Sequence, residues 1–381
     1  QEGCNMDKPM SGELQGWIVT PDGVLDGHLN FQDGHITSVT GTPVSGEGFN
    51  PIGPTIVPGF VDLHNHGGLG GAFPTGTYEQ ARQAALFHRS NGTTTLLASM
   101  VSAAPDALIS QLHTLIPLCE EGLLHGFHLE GPYINACRCG AQNPEYIYPG
   151  NPQDFAAIIT AANGWVRSIT LAPETDNLEE MLDLCATHNI ICSFGHTDAD
   201  FEQTQSGVDK ALERGLTVTA THLFNAMPPL HHRAPGAAGA LLAAAAASKA
   251  YVELVADGVH LHDGIVDGAR TNAVFVTDAM EAAGMPDGDY ALGQLDVVVS
   301  GGVARLYDGT LAGGTSTLAQ QFSRHVARGM TLIDATTHTS STPAQVLGLS
   351  DLGIFSGAPL NIVVFDSSGK INQVWTDGPI V

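Results

Sequence analysis

The chain has 381 residues, 43% of them apolar, which supplies a large core and excludes a disordered chain. Its 39 acidic against 14 basic residues give a formal charge of −25, a field that repels nucleic acid and anionic lipid and excludes both as partners. An anionic substrate must therefore be met by a few locally placed cations.

The opening residues, QEGCNMDKP, hold no apolar run, so no secretory leader is expected. From 12 to 57, short strand-like runs (LQGWIVT, GHLNFQ, HITSVTG) are separated by Gly, Asp and Pro turns, and the C-terminal LNIVVFDSSGKINQVW reads the same way. Between them the pattern changes. Eight apolar or β-branched runs follow: TIVPGFVDLH, TTTLLASM, LLHGFHLEG, RSITLAPE, IICSFGHT, TVTATHLFN, YVELVADG and AVFVTDAM. They start near residues 55, 93, 123, 167, 190, 217, 251 and 273, each trailed by a stretch long enough for a right-handed crossover helix. Eight such units predict an α/β chain folded as a (β/α)8 TIM-like barrel. An open doubly wound sheet is the alternative, but the first strand-to-helix turn lacks its glycine fingerprint.

The most apolar stretch, residues 237–247, is rich in Ala and Gly and too short to span a membrane; it predicts a helix packed close against a neighbour. The six cysteines (Cys4, Cys119, Cys137, Cys139, Cys185, Cys192) show no framework spacing, so free thiols in a reducing cytoplasm are expected. Cys137 and Cys139 lack the second Cys or His pair that a zinc site requires.

In a barrel, chemistry sits at the carboxyl ends of the strands. Those ends carry His64 and His66, then Glu130, His196, His222, His260 just beyond the seventh strand, and Asp278. A lone His at a strand end is more often a satisfied polar residue than a ligand. His-x-His differs, because a strand period of two puts both side chains on one face. Imidazoles and carboxylates gathered on one rim form the donor set of a divalent first-row metal. Asp278 closes an apolar run, where an acid is costly without a partner; beside a metal-activated water it reads as the general base, and its alternative is a helix N-cap. The four lysines (Lys8, Lys210, Lys249, Lys370) close no strand, so the bridging carboxylate falls to Glu130 instead of a carboxylated lysine.

The stretches PGFVDLHNHGG, HLEGP, GHTDA, THLFNAMPPLHHRAPG, ADGVHL, VTDAMEAAG and LAGGTSTL, in this order from residue 58 to 318, resemble the N-acetylglucosamine-6-phosphate deacetylase family of the amidohydrolase superfamily. TPAQVLGL and GAPLNIVVFD extend the likeness toward the C-terminus. The resemblance implies a barrel over 58–352 flanked by a small β-sandwich domain made from 1–57 and 353–381, in a cytoplasmic homodimer. It implies hydrolysis of the acetamide of an amino-sugar 6-phosphate with one or two divalent ions per subunit, zinc foremost and iron, manganese or cobalt as alternatives. Glu130, His196 and His222 fall on the family's metal ligands and Asp278 on its base; His64 and His66 together permit a second ion. Substrate contacts fall on Ala141, Gln142, Asn225, Ala226, the stretch Asp257, Gly258, Val259 and His260, and the turn Leu311, Ala312 and Gly313, with Arg233 for the phosphate. Gln142 stands where many members carry His. Deacetylation of the galactosamine epimer and a D-aminoacylase-like hydrolysis would use the same centre, though the latter needs no phosphate clamp at Arg233. A non-catalytic sugar-phosphate- or metal-binding protein is the remaining class, and it would need no base at Asp278.

Overall fold

Residues 11–376 are described by the computed structural model of the chain. The leader reading, Cys4 and Lys8 lie outside the described residues. Eight parallel strands form one sheet in sequence order: β1 Phe60–Asp62, β2 Thr93–Met100, β3 Gly126–Glu130, β4 Val166–Leu171, β5 Ile191–Phe194, β6 Val218–Ala220, β7 Tyr251–Leu254 and β8 Ala273–Phe275. Every residue of β2 and β3 is buried, because helices cover one face and the barrel interior fills the other. This is why these strands read as continuous apolar runs and not as alternation.

The crossover helices begin where the sequence offers caps. Thr77 and Gln80 form a capping box before Tyr78–Ser90, Asp200 caps Phe201–Glu213, and Thr317 with Gln320 caps Leu318–Ala327. The expected Ala-rich helix is present as Gly236–Ala246, packed along Phe201–Glu213. Among the described residues, no helix is long and apolar enough to cross a membrane.

Both chain ends meet in a separate, mostly antiparallel six-stranded sheet, built from Ser11–Thr20, Gly23–Gln32, His35–Val44, Thr55–Pro58, Ile362–Phe365 and Ile371–Trp375. Ile18, Leu29, Phe31, Ile36, Ile56 and Ile362 form its core. The run starting at residue 55, read as one barrel strand, is in fact two. Thr55–Pro58 pairs with Ile362–Phe365 in the small sheet, and the barrel strand begins at Phe60. Gly59 is the crossing point: its N–H donates to the Asn361 carbonyl at 3.0 Å, and a Cβ there would lie 2.1 Å from both Asn361 Oδ1 and Thr94 Oγ1.

A second departure lies after β8. Gly288–Leu292, Leu295–Ser300 and Val303–Arg305 form a three-stranded antiparallel sheet that the sequence reading passed over. Its signals were alternation in LDVVVS and the Gly301-Gly302 turn. The outer barrel strands, β8 and β1, close on each other through side chains and single bridges. Asp62 accepts from the Thr277 N–H at 3.2 Å and its hydroxyl at 2.6 Å, Asp278 N–H donates to the His64 carbonyl at 2.9 Å, and Asn65 bridges Ala279.

Candidate active site

The rim residues reach the barrel axis by two routes. His64 and His66 follow β1 past a bend at Leu63, and the Asn65 side chain between them turns to Asp62 and Thr277. Its amide donates to Asp62 Oδ2 at 3.0 Å and Thr277 Oγ1 at 3.1 Å, while its Oδ1 accepts from Gly67 N–H at 3.0 Å. His196, His222 and Asp278 instead stand on left-handed turns beyond β5, β6 and β8, with φ of +47°, +28° and +46°. Phe224 and Ala226 in the His222 loop share this conformation, at +77° and +52°. Each such residue costs about 1–3 kcal/mol, a cost the packed barrel holds in place.

The side chains converge on Glu130. Its Oε1 lies 2.9 Å from both His196 Nε2 and His222 Nε2, and its Oε2 lies 3.2 Å from His66 Nε2. His64 Nε2 and His66 Nε2 are 3.1 Å apart, as are those of His196 and His222. Asp278 Oδ1 sits 3.3 Å from His64 Nε2 and 3.2 Å from His66 Nε2. Burial opposes charge on His66, yet the Asp278 and Glu130 carboxylates outweigh it and lift its pKa to about 9. His64 is also buried, and Asp278 followed by Glu130 lifts it well above the usual imidazole value. In turn the imidazoles, His64 first, hold Glu130 and Asp278 well below the usual carboxylate range against the same burial.

The far side of each ring is also committed. His66 Nδ1 faces the Ser99 carbonyl at 3.1 Å, His196 Nδ1 the Arg138 carbonyl at 2.8 Å, and His64 Nδ1 the Glu253 carboxylate at 3.1 Å. An acceptor behind Nδ1 makes it the donor and leaves the Nε2 lone pair bare toward the centre. Bare lone pairs facing each other at 3.1 Å repel unless a proton or a cation lies between them. Two groups here are fit to hold a metal, His64–His66–Glu130 and Glu130–His196–His222, with Glu130 in both. Beneath them His128, lowered well below the usual imidazole value by burial and then by the His64 charge, is a neutral link between the Ser99 and Thr170 hydroxyls at 2.8 Å each.

A cavity of about 230 Å³ opens above the cluster. His66, Glu130, His196, His222 and Asp278 form part of its wall, and of the expected substrate contacts Ala141, Gln142, Asn225, Ala226, His260, Leu311 and Gly313 line it. Gln142 Oε1 accepts from the Ser102 N–H at 2.7 Å, while its buried Nε2 has no partner among the described residues. His260 is held by Asp257, whose Oδ2 lies 2.8 Å from its Nδ1, and its Nε2 is 3.9 Å from Asp278 Oδ2.

The other expected contacts lie off the wall. Asp257 stands behind His260, Gly258 and Val259 form the turn above it with Val259 exposed, and Ala312 is buried under its turn. Arg233 is exposed on the Pro- and Gly-rich loop, its Nη1 2.8 Å from His232 Nε2. It does not line this chain's own cavity. Gly140, Leu292 and Thr310 line the cavity unforeseen, Leu292 delivered by the inserted sheet and Thr310 by the turn that follows it. A larger hollow of about 470 Å³ lies between the small sheet and residues 333–355, but no titratable side chain lines it.

Residues 55–381 match the model of the amidohydrolase family. The chain belongs to that family. Its members are metal-dependent, and the two His/Glu groups fit that requirement. Among solved structures it is similar to an aspartate-to-alanine variant of N-acetyl-D-glucosamine-6-phosphate deacetylase from Mycobacterium smegmatis in complex with N-acetyl-D-glucosamine-6-phosphate. That likeness has a TM-score of 0.87 at 34% identity, over 97% of this chain and 98% of that one. N-acetylglucosamine-6-phosphate deacetylase of Bacillus subtilis (strain 168) is 32% identical over 93% of this chain and 92% of its own length. N-acetylgalactosamine-6-phosphate deacetylase of Escherichia coli O157:H7 is 30% identical over 95% and 97%.

Proposed function

We propose that this amidohydrolase cleaves the acetamide of N-acetylglucosamine 6-phosphate to glucosamine 6-phosphate and acetate. The observation that carries this reading is Asp278, a buried carboxylate 3.3 Å from His64 Nε2 and 3.2 Å from His66 Nε2, on the wall of a cavity floored by two metal-fit groups. The relatives' names supply the substrate class. Glu130, His196 and His222 would hold the first ion, zinc foremost with iron, manganese or cobalt as alternatives, and His64 and His66 would share Glu130 with a second. A bound divalent ion supplies Lewis acidity and lowers the pKa of water to near 7. Asp278 accepts the proton as water attacks the acetamide carbon, then delivers it to the departing nitrogen, since an amine leaves poorly as an anion. The Gln142 amide, fixed by Ser102, points its donor at the oxygen where negative charge develops. His260, steadied by Asp257, stands beside the proton carrier.

Arg233 is assigned to the substrate phosphate. Its exposed loop suits delivery into a neighbouring subunit's cavity, which makes a homodimer part of the reading; Leu230 of that loop is exposed as well. The same reading divides the chain into a barrel over 58–352 and a small domain from 1–57 and 353–381. It also places the protein in the cytoplasm, in keeping with the five free cysteines among the described residues. The Escherichia coli relative keeps the galactosamine epimer as the second reading. Acetate release from both 6-phosphates, with metal analysis of the same sample, tests both. Faster turnover of the glucosamine epimer is expected, and metal-replete protein inactive on both would overturn the assignment.

A further inference from the structure

β7 contributes to neither metal-fit group, yet it buries a carboxylate, Glu253. A buried carboxylate is costly unless its partners are well placed. Glu253 Oε2 has two: His64 Nδ1 and the His222 backbone N–H, each at 3.1 Å. It therefore touches both halves of the site from behind, one through a side chain and the other through the left-handed turn at His222.

The four imidazoles differ in what stands behind them. His66 and His196 are backed by peptide carbonyls, and His222 Nδ1 has no partner among the described residues. Only His64 of the four is backed by a full negative charge. A carboxylate behind an imidazole strengthens its Nε2 as a donor, and a carbonyl does so less. Charge balance points the same way. With a metal bound, its imidazole ligands are neutral, so Glu130, Asp278 and Glu253 would place three carboxylates around four neutral imidazoles. A single dication leaves one negative charge unanswered in a buried site, whereas a second dication together with one hydroxide would bring the sum to zero. With Glu253 neutralised, a single dication would suffice.

We propose that Glu253 is the positioning residue that commits this site to a second ion. It fixes His64 with Nε2 bare toward His66 and supplies the charge that the second ion balances. The inference rests on the two-ion reading above and deepens it. It also says why β7 carries an acid within its apolar run. Glu253→Gln separates charge from contact, because its amide oxygen still accepts from His64 and from the His222 N–H.

The test is stepwise zinc binding by calorimetry on dialysed protein, with metal analysis and thermal unfolding of every variant. Two steps are expected for the wild-type chain and one for His64→Asn/His66→Asn. Glu253→Gln should weaken only the second step, by about 10- to 100-fold. Glu253→Asp, which keeps the charge, should retain more of that step than Gln, so the ranking of the two variants reads the charge even where both lose thermal stability. Added to the double-histidine variant, Glu253→Gln should leave the remaining step unchanged. Two unaltered steps in Glu253→Gln, equal weakening of both steps, or Gln outperforming Asp would overturn the role of Glu253 alone. A single step in the wild-type chain would overturn the two-ion reading itself, and this proposal with it.

Discussion

His64 and His66 keep a negative φ, buried and braced by Asn65, Ser99 and Glu253, whereas His196 and His222 stand on left-handed turns with φ of +47° and +28°. Glu130 joins them, offering one oxygen to the second pair and the other to His66. The first half follows directly on β1 with no residue from His64 to His66 at positive φ, so it carries no left-handed backbone cost. The second half needs loops bent against preference, held by neighbours such as Thr221, which leaves no room for a Cβ at Gly195. One site is thus rigid by regularity on one side and by enforced strain on the other.

Asp278 faces the first half and stands on a turn like the second, so its replacement should have the largest effect. Asparagine tolerates a left-handed φ and keeps the shape. Asp278→Asn should lower kcat by about 10²- to 10⁴-fold with metal content unchanged, and near-normal turnover would remove it as proton carrier.

The first half has a pH-labile support. His88 Nε2 donates to the Gly67 carbonyl at 2.8 Å, and burial pushes its pKa down to about 4. Its folded pKa lies below its unfolded value, so the folded state resists a proton that the unfolded state takes up. This contribution to stability is intact above about pH 6.5 and drains away as pH falls toward 4, by up to about 3 kcal/mol. Urea midpoints at pH 7.5 and 5 should fall further apart for the wild type than for His88→Gln. Equal shifts would show that the acid sensitivity lies elsewhere.

Arg233 tests the loop beyond His222. Arg233→Ala should lower kcat/KM on the phosphorylated sugar by about 10- to 150-fold per hydrogen bond lost, and scarcely further on the unphosphorylated one. Equal losses on both would make it a support of the fold. The smallest expected effect is a gain. Ala226 has φ +52°, a conformation costing an L-residue about 1–2 kcal/mol, of which the unfolded-state freedom of glycine returns about 0.5–1. Ala226→Gly should therefore stabilise by under about 1 kcal/mol in thermal unfolding, whereas a loss would mean that the methyl's packing outweighs the strain.

The barrel was legible because parallel strands covered on both faces must be apolar throughout, and the cluster on its rim because those strands end in imidazoles and acids. Glu253 and His128 were missed although the signals were present. Glu253 is an acid inside YVELVADG, the same anomaly that singled out Asp278, and His128 lies two residues before Glu130 on the same strand face. Reading only the strand ends left out what stands behind them. The split at Gly59 was hidden because Thr55–Pro58 and β1 are equally apolar, and only tertiary contact with Asn361 and Thr94 divides them. Nor does a loop's sequence show whether a side chain reaches the cavity, so the place of Arg233 off its wall had no local mark.

Barrel closure and the candidate site share one junction. β8 meets β1 through Asp62, Asn65, Thr277 and a few single bridges, and directly above these the Asp278 carboxylate reaches across to His64 and His66. A fluctuation that unzips the barrel at this line must part Asp278 from His64 and His66 as well. Amide exchange at His66 and Asp278, whose N–H groups bond across the junction, would then report barrel breathing and loss of the active arrangement as a single event. Anything that binds across this line adds its free energy to the closed barrel, so occupancy of the cavity and global stability rise together.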